Sequence, residues 1–245
     1  MNAIEARALT KRFGDKTAVD HIDLTVAEGE LFALLGVNGA GKTTTIRMLT
    51  CLSAPTEGSC AVCGADCTAD PAQVKAVVGI SPQDTAVAEN LTVRENLRFM
   101  AQVYGCDAAE TRRRTEAMLA RFRMQQVADS RAKTLSGGWK RKLSIAMALI
   151  GQPKVLFLDE PTLGLDVLAR RELWKVIREL KGQITVLLTT HYMEEAEQLA
   201  DRIAVMIGGR IAALGTLGEL EALTGKQGLE EAFVAIAERS MEEDA

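Results

Sequence analysis

The chain has 245 residues, 47% hydrophobic and 25% charged, enough for one large α/β domain with a packed core. A net charge of −4 with no compensating basic stripe argues against a nucleic-acid-binding surface, so no nucleic-acid partner is expected. No run approaches the roughly 20 apolar residues of a membrane span, and the first residues lack the basic-then-apolar pattern of a secretion signal, so the expected location is the cytoplasm.

In chain order, residues 4–9 and 22–26 alternate or run apolar between turn residues and predict strands of an N-terminal β layer. Between them lies Lys11-Arg12-Phe13-Gly14. Phe13 is a candidate for stacking on a nucleobase, and the other reading is that it closes the strand layer. The apolar run 31–35 leads into Gly36-Val37-Asn38-Gly39-Ala40-Gly41-Lys42-Thr43-Thr44, and a helix is predicted over 43–49. The spacing is G-x-x-x-x-G-K-[ST], between a strand and a helix as that motif requires. Its glycines permit a tight loop with inward N–H groups, so a polyphosphate meets donors at the positive end of a helix. Lys42 then reaches the β- and γ-phosphates, Thr43 offers a hydroxyl to Mg²⁺, and Thr44 adds a contact nearer the α-phosphate.

A turn at 54–58 precedes a short strand at 59–62 containing Cys60. Five cysteines, an odd number, without a secretion signal do not suggest a disulfide framework. Cys60, Cys63 and Cys67 have the spacing of half a metal site, but no fourth Cys or His lies near them, so they read as structural. A helix over 71–77 and a buried strand over 78–81 lead to Pro82-Gln83-Asp84.

Composition shifts here. Thr92 with Glu95 three residues on reads as a capping box opening a helix to 104. Helices follow at 108–122 and from about 137, the last with Leu143, Ala146, Met147 and Ile150 on one face. Residues 86–151 thus form a helical insertion. The continuous apolar run 155–158 predicts a strand buried in a parallel sheet, ending in Asp159-Glu160. A helix at 167–180, a strand at 184–189, His191, a helix at 193–200 and a strand at 203–207 continue the α/β alternation. Thr216 with Glu219 marks a second capping box, and 229–239 reads as an amphipathic helix before an acidic tail.

A carboxylate at the end of an inner parallel strand opens onto the same crevice as the phosphate loop, and Asp159 fits that place as a metal holder. Glu160 points a second carboxylate toward the γ-phosphate, where it can accept a proton from the attacking water. His191, after a strand, suits a hydrogen bond to a γ-phosphate oxygen. The other histidine, His21, reads as a surface residue.

Leu135-Ser136-Gly137-Gly138-Trp139, just upstream of Asp159-Glu160, resembles the signature of the ATP-binding-cassette (ABC) ATPases. In that comparison 36–44 looks like Walker A, 155–160 like Walker B plus the catalytic Glu, and Gln83 like the Q-loop glutamine. Residues 163–166 resemble the D-loop, and His191 matches the switch histidine. The resemblance implies an α/β fold with a P-loop NTPase core and parallel sheet, an antiparallel β subdomain and an inserted helical subdomain. The ATPase domain would span 1–225, followed by a C-terminal helix and acidic tail at 226–245. It implies ATP and Mg²⁺ as cofactors, the metal lying near Thr43, Gln83 and Asp159. It also implies that two cassettes sandwich two ATP molecules, with Ser136, Gly137 and Gly138 on the γ-phosphate in trans and Asp166 at the same junction.

Two residues depart from the family pattern. Phe13 stands where Tyr is frequent, and Trp139 replaces the usual Gln. With one cassette and no span, the chain is similar to the separate nucleotide-binding subunit of a bacterial exporter of drugs, antibiotics, polysaccharides or lipids. That implies an integral membrane permease, a second cassette subunit as homodimer or close paralogue, and a peripheral position on the inner face of the membrane. The alternative is a non-transport cassette ATPase acting on ribosomes or DNA.

Overall fold

The structure, a computed structural model, describes residues 1–243. Strands β1 (Asn2–Phe13) and β2 (Lys16–Ala27) form an antiparallel hairpin much longer than the apolar patterning predicts. The register shifts between Ala6 and Leu9, where Ala8 has φ 44 and its N–H donates to Asp23 Oδ1 at 2.9 Å. Such a bulge breaks the period of two, so the alternation is interrupted although the pairing continues. On the other edge of β1 lies β4 (Glu57–Val62), which pairs with the short β5 (Ala65–Asp66) through a two-residue turn, Cys63-Gly64, with φ values of 50 and 82.

The second sheet has the order β10-β9-β3-β8-β7-β6. Its parallel members are β3 (Leu31–Leu35), β6 (Val78–Ser81), β7 (Val155–Asp159), β8 (Thr185–Thr190) and β9 (Arg202–Ile207). Every residue of β3, β7 and β8 is buried, as strands covered on both faces require. The antiparallel edge strand β10 (Arg210–Gly215) is absent from the sequence expectation. Its signal is Gly208-Gly209, with φ 55 and 89, the left-handed pair of a tight hairpin turn.

Helix α1 (Lys42–Leu49) follows β3, and α2 (Pro71–Val77) precedes β6. Between β6 and β7 come α3 (Val93–Val103), α4 (Ala108–Arg121), two single 3₁₀ turns and α5 (Gly137–Leu149). Helices α6 (Val167–Arg178), α7 (Met193–Leu199), α8 (Leu217–Thr224) and α9 (Leu229–Glu243) complete the described chain. Both capping boxes form, Thr92 with Glu95 and Thr216 with Glu219. Helix α9 continues through Glu243 rather than stopping at 239, so part of the expected acidic tail is helical and 244–245 lie outside the described residues.

Alternation along β3 divides the core. Leu31, Ala33 and Leu35 face a cluster shared with α3, α5, α6 and α7, whereas Phe32 and Leu34 face one shared with the antiparallel sheet and α1. The second cluster holds Cys60 and Cys67. The grouping of cysteines in space is not the sequence grouping: Cys67 neighbours Cys60 and Cys51, while Cys63 sits at the hairpin turn. Burial pushes the Cys51 thiol up to about 11, and the Cys60 thiol together with burial raises Cys67, as expected of packing thiols rather than reactive ones.

Candidate active site

The phosphate loop is clamped by strand ends. Gly36 N–H donates to Thr190 O at 3.2 Å, and a Cβ on Gly36 would come within 2.4 Å of Met206 O. Gly41 has φ 106, and a Cβ there would lie 2.5 Å from Ala18 O. Neither position admits another residue without displacing backbone. Gly209 N–H donates to Ala40 O at 3.1 Å while Gly209 O accepts from Asp20 N–H at 2.9 Å, so the β9–β10 turn links the loop to the antiparallel sheet. Helix α1 then starts with no side-chain cap, leaving its first N–H groups for an anion.

Lys42, 5% exposed, donates to Gly36 O at 2.7 Å and Val37 O at 3.1 Å, and its Nζ lies 3.1 Å from Glu160 Oε1. Glu160 has φ 48, a strained position for a non-glycine residue, fixed by its N–H donating to Thr189 O at 3.2 Å and Thr189 Oγ1 at 3.0 Å. Its other carboxylate oxygen is 2.5 Å from His191 Nδ1. One carboxylate thus joins the loop lysine to the histidine at the end of β8. Asp159 Oδ1 accepts from Thr189 Oγ1 at 2.5 Å and from Thr43 Oγ1 at 3.2 Å. Thr43 and Asp159 together present hard oxygens that fit Mg²⁺. Among the described residues no group of three or more His, Cys, Asp or Glu is arranged to hold a metal.

A cavity of about 510 Å³ lies over the loop, lined by Phe13, Asn38, Gly39, Gly41, Lys42, Thr43, Thr44, Gln83, Glu160 and His191. Gly36, Val37, Ala40 and Asp159 support it from outside that lining. Phe13 is 55% exposed, which is not the burial of a residue closing a strand layer. Leu163, the first residue of the 163–166 segment, also lines the cavity, as do Lys16 and Ala18, which the sequence did not single out. Lys16 becomes legible only once the hairpin is known to run to its tip, because its role depends on facing Phe13 across the turn. The Gln83 segment is tied to the insertion, since Arg141 donates to Pro82 O at 2.6 Å and Gln83 O at 2.5 Å.

Ser136, Gly137, Gly138 and Asp166 do not line this cavity. Ser136 is the N-cap of α5 but makes no side-chain cap bond. The signature packs on its own chain's 163–166 loop: a Cβ on Gly137 would meet only Leu165 Cδ2 at 3.9 Å, and one on Gly138 would meet Ala169 Cβ at 3.2 Å. Asp166 Oδ1 accepts from Ala169 N–H at 2.9 Å, capping α6. Trp139 is engaged by Lys142, whose Nζ lies 4.7 Å from the ring centroid and 2.7 Å from Glu172.

A parallel sheet, a clamped phosphate loop and a carboxylate pair at the end of the neighbouring strand define a P-loop NTPase. The ABC transporter family model matches residues 19–163, and the chain belongs to that family as an ATP-binding ATPase. It is 44% identical over 224 residues to the daunorubicin resistance ATP-binding protein DrrA3 of Streptomyces coeruleorubidus, covering 91% of this chain and 71% of that one. It is 45% identical over 215 residues to the Nod factor export ATP-binding protein I of Paraburkholderia xenovorans, covering 87% and 70%. A solved ATP-binding subunit of an ABC transporter superposes with TM-score 0.85 and 32% identity over 96% of this chain and 99% of the other. Among the described residues no helix is long and apolar enough to cross a membrane.

Proposed function

We propose that this chain is the ATP-hydrolysing subunit of an exporter and works as a dimer of cassettes on the inner face of a membrane, bound to an integral permease. The observation that carries the catalytic part is the Lys42–Glu160–His191 arrangement beside the clamped loop. ATP phosphates entering the loop compete with Glu160 for Lys42 and free that carboxylate. His191 keeps hold of it, so it is oriented to take a proton from the attacking water as the general base. Thr43, Asp159 and Gln83 would hold Mg²⁺, which would supply positive charge beside the phosphates. Phe13 stacks on the base, and Asn38 to Thr44 cradle the phosphates.

The second cassette supplies Ser136, Gly137 and Gly138 to the γ-phosphate, with Asp166 at the junction. Val167 and Leu168, 60% and 77% exposed just after the 163–166 loop, support a surface that a second copy covers. Phe99 and Val103, one turn apart on α3 and 54% and 62% exposed, support a separate contact with the permease. In that reading the ATPase domain spans 1–225 with its helical insertion at 86–151, and 226–245 form a C-terminal helix and acidic tail. The export direction rests on relatives named for drug resistance and Nod factor export.

The test of the site is Glu160→Gln in the purified protein. ATP binding should persist, turnover should fall by ~10² or more, and an ATP-bound dimer should accumulate. Near-normal hydrolysis would remove Glu160 from the role.

A further inference from the structure

Four buried side-chain polar atoms among the described residues have no hydrogen-bond partner: Thr115 Oγ1, Thr162 Oγ1, Arg170 Nε and Glu195 Oε2. Buried polar groups pair in the great majority of cases, so each exception calls for a reason. Three of these four share one seam, where the segment after Glu160 and helix α6 meet the start of α7. Trp174 on α6 donates to Glu195 Oε1 at 2.9 Å, and the Arg170 guanidinium lies 4.5 Å from the ring centroid of Tyr192, the N-cap of α7.

Glu195 is fully buried, does not line the cavity and has no cation bonded to it. Besides Trp174, its carboxyl neighbours are the hydroxyls of Thr190 and Thr162, both fully buried. Burial raises its pKa, favouring the neutral acid, which can donate a proton to a hydroxyl oxygen as well as accept from one. Each threonine connects to a different side of the active site. Thr162 lies two residues after Glu160, and its carbonyl accepts from Leu165 N–H at 3.1 Å. Thr190 directly precedes His191, takes Tyr192 N–H on its hydroxyl at 3.0 Å, and takes Gly36 N–H on its carbonyl at 3.2 Å.

We propose that Glu195 is a positioning residue for ATP hydrolysis: from beneath the site its carboxyl meets the Thr162 and Thr190 hydroxyls, and so sets the two segments that carry Glu160 and His191. The unpaired Glu195 Oε2 and Thr162 Oγ1 are the two halves of a hydrogen bond that a small shift of the 160–166 segment completes. That segment leads directly into the surface assigned above to the second cassette. Closure of the dimer and alignment of Glu160 therefore pass through the same pair of atoms.

The inference rests on the reading of Glu160 as general base and His191 as its partner, so Glu160→Gln is run beside the other variants. Glu195→Met keeps the volume of the side chain and removes both oxygens. In steady-state ATPase assays it should lower kcat by about 10-fold or more with KM for ATP changed by less than about two-fold, and Glu195→Gln should recover most of the loss. Thr162→Val should lower kcat in the same way, and the double variant Glu195→Met/Thr162→Val should be no slower than Glu195→Met alone, because the two act through one bond. Wild-type kcat in Glu195→Met, or fully multiplicative losses in the double variant, would overturn the proposal. Should Glu195→Met fail to fold, Thr162→Val decides by itself: an unchanged kcat overturns the proposal, and a lowered kcat with unchanged KM supports it. Normal hydrolysis in Glu160→Gln would instead sink the underlying site reading, a different result from normal hydrolysis in Glu195→Met with Glu160→Gln inactive.

Discussion

At the start of α1, Gly41 leads into a turn that the chain itself encloses: the loop backbone is held by β2, β8 and the β9–β10 turn, and Lys42 has three acceptors of its own. At the start of α5, Ser136 makes no cap bond, and its two following glycines meet little beyond Leu165 and Ala169. Both are helix N-termini with free N–H groups, the kind that receive anions. The first is complete within one chain, and the second is open. The difference is that of a socket and a lid, and it is what the proposed two-chain site calls for.

The sharpest way to break this comparison is to damage one end in each of two proteins. Lys42→Ala removes the loop cation and strips Glu160 of its buried partner, and Ser136→Arg blocks the open end; each pure protein should be nearly inactive. In a mixed dimer one site combines the intact Lys42 of one chain with the intact Ser136 of the other. Mixing should therefore restore hydrolysis, measured with the permease present if dimers need it. No recovery in mixtures shown by crosslinking to contain the heterodimer would leave both ends serving a single chain.

Next in size is Gly41→Ala. The backbone there has φ 106 and the new Cβ would press on Ala18 O, so unfolding free energy should fall by about 1–3 kcal/mol and nucleotide binding should weaken with it. Ser136→Ala should do the reverse. With no side-chain cap bond to lose, its melting should stay within ~0.5 kcal/mol of wild type, whereas turnover drops roughly 10-fold or more. Thr92→Ala calibrates that contrast, because Thr92 does cap its helix and its loss should cost about 1 kcal/mol with little effect on turnover.

The smallest effect is one of pH. Burial holds the Glu195 carboxyl above its ordinary range, so the folded chain keeps a proton that the unfolded chain releases. Its contribution is complete below the usual glutamate range and is lost as pH rises through the raised value. Thermal melting of Glu195→Gln should therefore decline less steeply with rising pH than that of wild type. Parallel curves would show that the group does not titrate in that window.

The loop, the β7 carboxylates and His191 were legible because each is a short local pattern whose chemistry demands those residue types at that spacing. The first helix of the insertion was legible through Thr92 and Glu95, a cap that announces itself within four residues, and the last through the apolar face of Leu143, Ala146, Met147 and Ile150. What escaped depends on distant contacts. The full length of β1 was hidden by a bulge at Ala8, and the edge strand β10 by the brevity of its apolar pattern beside Gly208-Gly209. Lys16 reaches the cavity only through hairpin geometry, and the thiol cluster pairs Cys67 with Cys51 rather than with Cys63. Glu195 is one of three glutamates in Met193–Leu199, and nothing in the sequence sets it apart. Only the packing of α6 against α7 buries it.

The turn at Gly208-Gly209 fixes the phosphate loop to both sheets at once, through Ala40 on one side and Asp20 on the other. A loop moored at two points cannot travel without carrying the whole β framework along. It behaves as an anvil, and any stroke the molecule makes must come from parts joined to the framework by fewer ties. The segment around Gln83 follows directly on β6, and its carbonyl and that of Pro82 are also gripped by Arg141 on α5. Through Arg141, α5 is thereby joined to the edge of the cavity. Force generated at the nucleotide would leave the protein by the same route, outward along the insertion.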